Sequence, residues 1–338
     1  MRSRTRTRVA VSLTTMAIAG SVLVGAGQQS ASGKPSAQEP IGQGQTPSRF
    51  PLTQSIRERG TSVTPALEGW FRGKDGNDYF LIGYFNRNTK QEFDIPVGPN
   101  NRIDPGGPDL GQPTHFQLGR QWGVFTVKVP KDLGTKKLSW TIVANGLTNS
   151  ITLHTQAEYI VEPYRASWND NTPPVLKFAT NGPTYSGPPI GFAATTFTTT
   201  LSNPLTLTAW ITDEGPVGRF GAPAGGAAAG GGRDRGGRAR GTPSTVDAGA
   251  DFPGYQPPPR VSVTWTKFRG PGSVTFANAK PSVDDANGGR AETTASFDEA
   301  GEYVLRLQGN DSSGDGGLGE QCCWTNVHVK VTVKAATR

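Results

Sequence analysis

Residues 261–281, VSVTWTKFRGPGSVTFANAKP, and residues 291–311, AETTASFDEAGEYVLRLQGND, decide the fold. Val261, Val263 and Trp265 alternate with Ser262, Thr264 and Thr266; Tyr303, Leu305 and Leu307 alternate with Val304, Arg306 and Gln308. A period of two is that of strands with one buried and one wetted face. Between the two runs stands Gly270-Pro271-Gly272, a turn that no helix could cross. The second run is entered through Asp298-Glu299-Ala300-Gly301-Glu302-Tyr303, a tight corner opening on an aromatic residue.

The same alternation extends outward. Leu205, Leu207, Ala209 and Ile211 form one strand pattern, and Val327, Val329, Val331 and Val333 another. A short strand at Val274–Ala277 and one at Ala291–Phe297 complete a domain spanning 175–336. Between 205–212 and 261–268 lies a connection that includes AGGAAAGGGRDRGGRARG, where a few residues would suffice. It reads as an insertion, disordered over 216–245 because it has almost nothing apolar to bury.

Residues 61–165 read as another all-β domain. Leu67–Arg72 and Asp78–Asn86 flank Lys74-Asp75-Gly76-Asn77, a hairpin turn signal. Further strands are expected at Gln91–Val97, Trp122–Val129, Leu138–Ala144 and Ser150–Thr155, with Asn145-Gly146 as a turn and Glu158–Pro163 closing the domain. The Pro- and Gly-rich run 98–113 reads as a long loop. The fold class is therefore all-β, with two β-sandwich domains and a boundary near 166–174.

In order and spacing, the second domain suits a seven-strand immunoglobulin-like sandwich, with strand B at 205–212, C at 261–268, E at 291–297, F at 303–309 and G at 327–333. It resembles the PKD-like and cadherin-like modules of bacterial surface proteins. The matching residues are Trp265 with Gly270-Pro271-Gly272, then Phe297, Gly301, Tyr303, Leu305 and Asp311. Trp265 is followed by Thr266-Lys267-Phe268, where the common PKD pattern has Asp-Phe-Gly-Asp-Gly. The resemblance implies an extracellular, non-catalytic interaction or spacer module. In the first domain, Gly83-Tyr84-Phe85-Asn86-Arg87-Asn88 resembles segments of uncharacterised exported bacterial proteins, which implies no function.

The formal charge of +7 is local. Arg2, Arg4, Arg6 and Arg8 stand in the first eight residues, and Arg219, Arg233, Arg235, Arg238 and Arg240 face only Asp234 in the insertion. The rest is nearly neutral and offers no distributed basic face for phosphates, so no nucleic-acid partner is expected. Residues 1–26 read as a secretory signal: a basic start, an apolar run from Val9 to Val24, and small residues at Val24-Gly25-Ala26. An uncleaved signal would instead anchor the chain in a membrane. Residues 27–60 read as a disordered tether. The expected location is secreted, periplasmic or in the cell envelope.

Three candidate sites follow. Strands B and F end at one pole, so Asp213, Asp311 and Asp315 are brought near one another as oxygen ligands for Ca²⁺, although no EF-hand spacing is present. The alternative is a solvated acidic loop. Cys322 and Cys323 are the only cysteines. They form either a redox- or ligand-responsive clip or, by strand alternation, one thiol facing inward and its neighbour outward. Trp70 and Tyr84 have aromatic neighbours pointing the other way, so each is a candidate exposed shelf for a sugar ring; burial on both sides is the alternative. His115, His154 and His328 fall in no catalytic motif. The functional expectation is an exported interaction or structural module whose partner is an extracellular protein or polysaccharide. The alternatives are a carbohydrate-binding accessory protein and, more weakly, a hydrolase.

Overall fold

The computed structural model describes residues 56–105, 107, 109–131, 133, 137–167, 170–213, 261–311 and 322–336. All of them belong to one compact unit. The signal segment, most of the tether, the 216–245 insertion and Asp315 lie outside the described residues.

The fold is all-β. In the first sandwich, β1 (Val63–Arg72), β2 (Asp78–Asn86) and β6 (Gly119–Lys128) form one sheet in the order β1-β2-β6. The facing sheet is β4-β7-β8, from β4 (Asn101–Asp104), β7 (Leu138–Ala144) and β8 (Leu147–Leu153). Two short strands, β3 (Phe93–Asp94) and β5 (His115–Phe116), pair as a ribbon at the side. Alternate residues Phe80, Ile82, Phe125, Trp140 and Ile142 fill the space between. The Lys74–Asn77 turn closes as expected, with the Asn77 carbonyl accepting from Gly73 N–H at 2.8 Å. Asn145 and Gly146 both take positive φ, 51° and 73°, as a two-residue hairpin between antiparallel strands requires.

Two expectations for this half are corrected. The run 98–113 is not all loop: β4 lies within it and pairs with β7. Its order comes from Asn101, which is fully buried. The Asn101 amide donates to the Ile95 and Pro113 carbonyls at 3.0 and 2.7 Å and accepts from the Trp140 indole at 3.0 Å. Glu158–Pro163 closes this half as expected: a 3-10 turn at Ala157–Tyr159 is followed by a bridge from Ile160 to Trp70. The end of the supposed tether is also part of the fold, because Arg57 N–H donates to the Arg87 carbonyl and Lys90 pairs with Glu58.

The second sandwich is immunoglobulin-like. One sheet is β13-β14-β11-β9, built from β9 (Val175–Lys177), β11 (Leu205–Thr212), β13 (Val274–Phe276) and β14 (Arg290–Phe297). The other is β10-β16-β15-β12, built from β10 (Thr196–Thr200), β12 (Val261–Arg269), β15 (Gly301–Asp311) and β16 (Trp324–Lys334). The expected strands B, C, E, F and G are β11, β12, β14, β15 and β16. The edge strands β9 and β10 have no alternating apolar pattern of their own; β10 is a threonine-rich strand running parallel to β16. Val263, Trp265, Leu305, Leu307, Val329 and Val331 meet Leu207, Ala209 and Ala295 in the core.

The corner before β15 is built by Tyr303. Its hydroxyl donates to the Glu299 carbonyl at 2.7 Å and accepts from Gly272 N–H at 3.1 Å. Gly270 has φ +146°, and a Cβ there would come within 2.1 Å of the Tyr303 ring. The Gly270-Pro271-Gly272 turn is therefore the seat of that ring, which explains Gly270 and the tyrosine together, while a Cβ at Gly272 would first meet the Asp298 carboxylate, at 2.1 Å.

Candidate functional site: the seam between the sandwiches

The outer face of the β10-β16-β15-β12 sheet does not face water along its whole length. In β12 the burial alternates as far as Trp265, after which Thr266, Lys267 and Phe268 are all buried. Arg306 and Gln308 on β15 and Asn326 and His328 on β16 are buried as well. These side chains lie against the first sandwich, and the ring of Phe268 joins that sandwich's core.

The seam is held by polar groups. Lys267, whose side chain is only 5% exposed, donates to Asp94 at 2.7 Å. Arg269 grips Asp109 with both terminal nitrogens, at 3.0 and 2.7 Å, and donates from Nε to the Gln112 carbonyl at 2.7 Å. The Arg306 guanidinium donates to the Gln121 side-chain oxygen at 2.8 Å. Asn326 donates to the Gly123 carbonyl at 2.9 Å, and Thr114 N–H donates to the Phe268 carbonyl at 3.1 Å. Gly123 is required here: its φ is +49°, and a Cβ would meet the Trp324 ring at 2.9 Å.

Two histidines occupy opposite environments in this seam. The His115 side chain is 13% exposed and sits between carboxylates, with Nδ1 3.1 Å from Asp94 and Nε2 3.4 Å from Glu92. Burial works against its charge, but the hydrogen bonds and charges of Asp94 and Glu92 outweigh burial and raise its pKa above the ordinary value. Beside it opens a cleft of about 300 Å³ lined by Glu92, His115, Lys267 and Phe276. The imidazole nitrogens point to different carboxylates, so the three groups do not converge on one point where a metal could bind. His328 stacks on Phe268 at 4.0 Å between ring centres, and its Nε2–H donates to the Val124 carbonyl at 3.1 Å. Burial first, then the nearby Arg306 charge, lowers its pKa to about 3. It is a neutral histidine at any ordinary pH.

The residues singled out in the sequence are placed as follows. Asp311 is buried, and its carboxylate accepts from the Asn171 amide in the segment joining the sandwiches. Asp213 lines a separate cavity of about 350 Å³ with Thr172, Pro173 and Ser186. Among the described residues no three carboxylate, histidine or cysteine side chains form a metal-binding group. Cys322 and Cys323 form a disulfide with each other, and both are buried, 5% and 1% exposed. This corrects the alternating inward and outward thiols: the peptide between them is cis, the Cα atoms are 3.2 Å apart, and both side chains turn to the same side. The pair packs on Ala166, and the Asn171 carbonyl lies 3.3 Å from Cys323 Sγ.

Tyr84 is not a shelf. It is 1% exposed, its ring meets Phe116 edge-on at 5.1 Å, and its hydroxyl accepts from Gln117 N–H at 2.9 Å. Phe85 takes the outer side of that pair instead. Trp70 is half-buried; its indole N–H donates to the Gln156 carbonyl at 2.8 Å, and it lines a groove of about 470 Å³ with Asn77, Asp78 and Lys131. The Gly83–Asn88 run is structural. Asn88 is 1% exposed and pairs with both backbone groups of Thr61, while Asn86 donates to the Gln91 carbonyl at 2.8 Å.

No protein-family model matches the chain, and no curated protein matches it. Among solved structures it is similar to the D00-D0 domain of Intimin, with 10% identity and a TM-score of 0.23 over 80% of this chain and 99% of that one. It is also similar to the S-layer protein rSbsC(31-844), with 9% identity and a TM-score of 0.22 over 84% of this chain and 29% of that one. Likenesses of this size bear on neither mechanism nor partner.

Proposed function

We propose that the chain is a non-catalytic extracellular module of structural or adhesive kind, PKD-like or cadherin-like in its second half, whose two sandwiches work as one stiff body. The observation that carries this reading is the seam. Lys267, Arg306, His328 and Asn326 are buried on a sheet face that a free-standing sandwich would leave wet, and each meets a partner on the first sandwich. Polar complementarity of that kind fixes one orientation, because misdocking would strand buried charges. The histidines are used for packing. His115 binds carboxylates, His328 a backbone carbonyl, and His154 meets Tyr159 edge-on at 4.4 Å. Among the described residues none of them holds a serine, threonine or cysteine as a nucleophile would require.

The test has two parts. Protease treatment of intact host cells should degrade the chain if it is exposed outside the membrane. Backbone ¹⁵N relaxation should give both sandwiches one rotational correlation time. Full protection from the protease in intact cells, or two independent correlation times, would overturn the reading.

A second reading rests on Trp70. A half-buried indole with its N–H already committed presents its ring to a groove whose other walls carry an amide, a carboxylate and an ammonium, which suits a sugar ring. Co-sedimentation with insoluble wall polysaccharide tests it: binding that Trp70→Ala abolishes supports a saccharide ligand, and equal sedimentation of both proteins rejects this groove.

A further inference from the structure

We propose that the seam is an acid-opened joint, held by His328 as a neutral ring, so that it opens ahead of global unfolding as the pH falls. The inference goes beyond the structural reading above and needs only that the two sandwiches share this seam.

The geometry sets the sense. His115, on β5, and its partners Glu92 and Asp94 from the β3 segment all belong to the first sandwich, so that proton is bound on one side of the seam. His328, on β16, is faced by Phe268 from β12 and by the Val124 carbonyl from β6. The charges that act on it, Arg306 on β15 and Arg269 on β12, are both positive. Among the described residues no carboxylate acts on it, so a proton there must either stay off or part the sandwiches.

The folded pKa of His328 lies below the ordinary 6.5, so the open form takes up a proton that the closed form refuses, and the grip weakens as pH falls below 6.5.

Amide hydrogen exchange on the intact chain measures this. Thr114 N–H donates to the Phe268 carbonyl across the seam, whereas Trp265 N–H donates to the Ala279 carbonyl within the second sandwich. The protection factor of Thr114 should lie below that of Trp265 at every pH. It should fall by about tenfold per unit below pH 6.5, the slope of one linked proton. His328→Gln should flatten that slope. A Thr114 profile that is flat with pH, or protection equal to that of Trp265 throughout, would overturn the joint. Should the variant not fold, ¹H–¹⁵N spectra of the wild-type imidazoles decide. The chain has three histidines, so each is resolvable. His328 still neutral at pH 5 supports the proposal, and titration of His328 near 6.5 rejects it.

Discussion

Asp94 of the first sandwich and Lys267 of the second are 2.7 Å apart, and the two differ in exposure: the lysine is 5% exposed and the aspartate 56%. The ammonium has therefore given up its water, and the carboxylate has not. Removing the aspartate strands a buried charge, while removing the lysine leaves a carboxylate free to hydrate.

Asp94→Ala should accordingly destabilise the protein by about 2 kcal/mol, below the roughly 3–5 kcal/mol for a fully buried pair because one partner is wet. Lys267→Met, which keeps the stem packing, should lie within about 0.5 kcal/mol of wild type, and the double variant should recover most of the loss. Urea denaturation measures all three. Equal costs for the two single variants would show that the pair is symmetric and that the burial of Lys267 does not matter.

Global stability should show the acid limb of His328. With a folded pKa of about 3 against 6.5 unfolded, the folded state forgoes a proton that the unfolded chain binds. Between pH 6.5 and pH 5 this removes about 2 kcal/mol, at 1.36 kcal/mol per unit. Urea midpoints at pH 7 and pH 5 in one buffer series check it. An unchanged midpoint would mean that His328 accepts its proton within the fold.

Much of the second sandwich was legible because its inner face obeys a strict period of two, and Trp265, Leu305 and Val329 are where that period put them. The seam was not legible. Arg306, Gln308, Asn326 and His328 occupy the alternate positions of the same strands, and polar residues there read as a wetted face. Only the docked first sandwich makes them buried, and a single strand's pattern carries no sign of what covers its polar side. Two signals were present. Phe268 breaks the polar phase of β12 with a large apolar ring, and it is the residue that enters the other core. Gly123 interrupts β6 where the chain must admit Trp324. Tyr84 was misjudged for the opposite reason: β2 is covered on both sides along most of its length, so alternation there gives no exposed face.

The Tyr303 corner should separate shape from hydrogen bonding. Tyr303→Phe removes the donor to Glu299 and the acceptor for Gly272 and should cost about 1–2 kcal/mol. Gly270→Ala should cost more, because its Cβ would meet the ring at 2.1 Å from a backbone conformation that alanine disfavours. The double variant tests the shared mechanism: with the ring reduced in Tyr303→Ala, Gly270→Ala should add only its backbone cost. Thermal unfolding of the four proteins gives the coupling. Full additivity would mean that the ring is not what the glycine accommodates.

Trp265 lies at the centre of the second core, fully buried and with Phe178 6.1 Å from it. Its strand turns one face to Leu207 and Ala209 through the core and the other to the seam, so the tryptophan is the last residue before β12 changes function. Trp265→Ala should cost about 3–5 kcal/mol, the range for an aromatic truncated in a core that cannot collapse around the space. The loss should be felt unequally. Val261 and Val263 lie on the same inner face and lose their neighbour, whereas Lys267 and Phe268 are held from the first sandwich. Amides of the second core should therefore lose protection, while Thr114 N–H, bonded to the Phe268 carbonyl at 3.1 Å, keeps its margin relative to the lowered global stability. Urea denaturation with tryptophan fluorescence gives the energy, and hydrogen exchange gives the distribution. A Trp265→Ala protein with wild-type stability would place the indole outside the core and refute the register of β12 against β15.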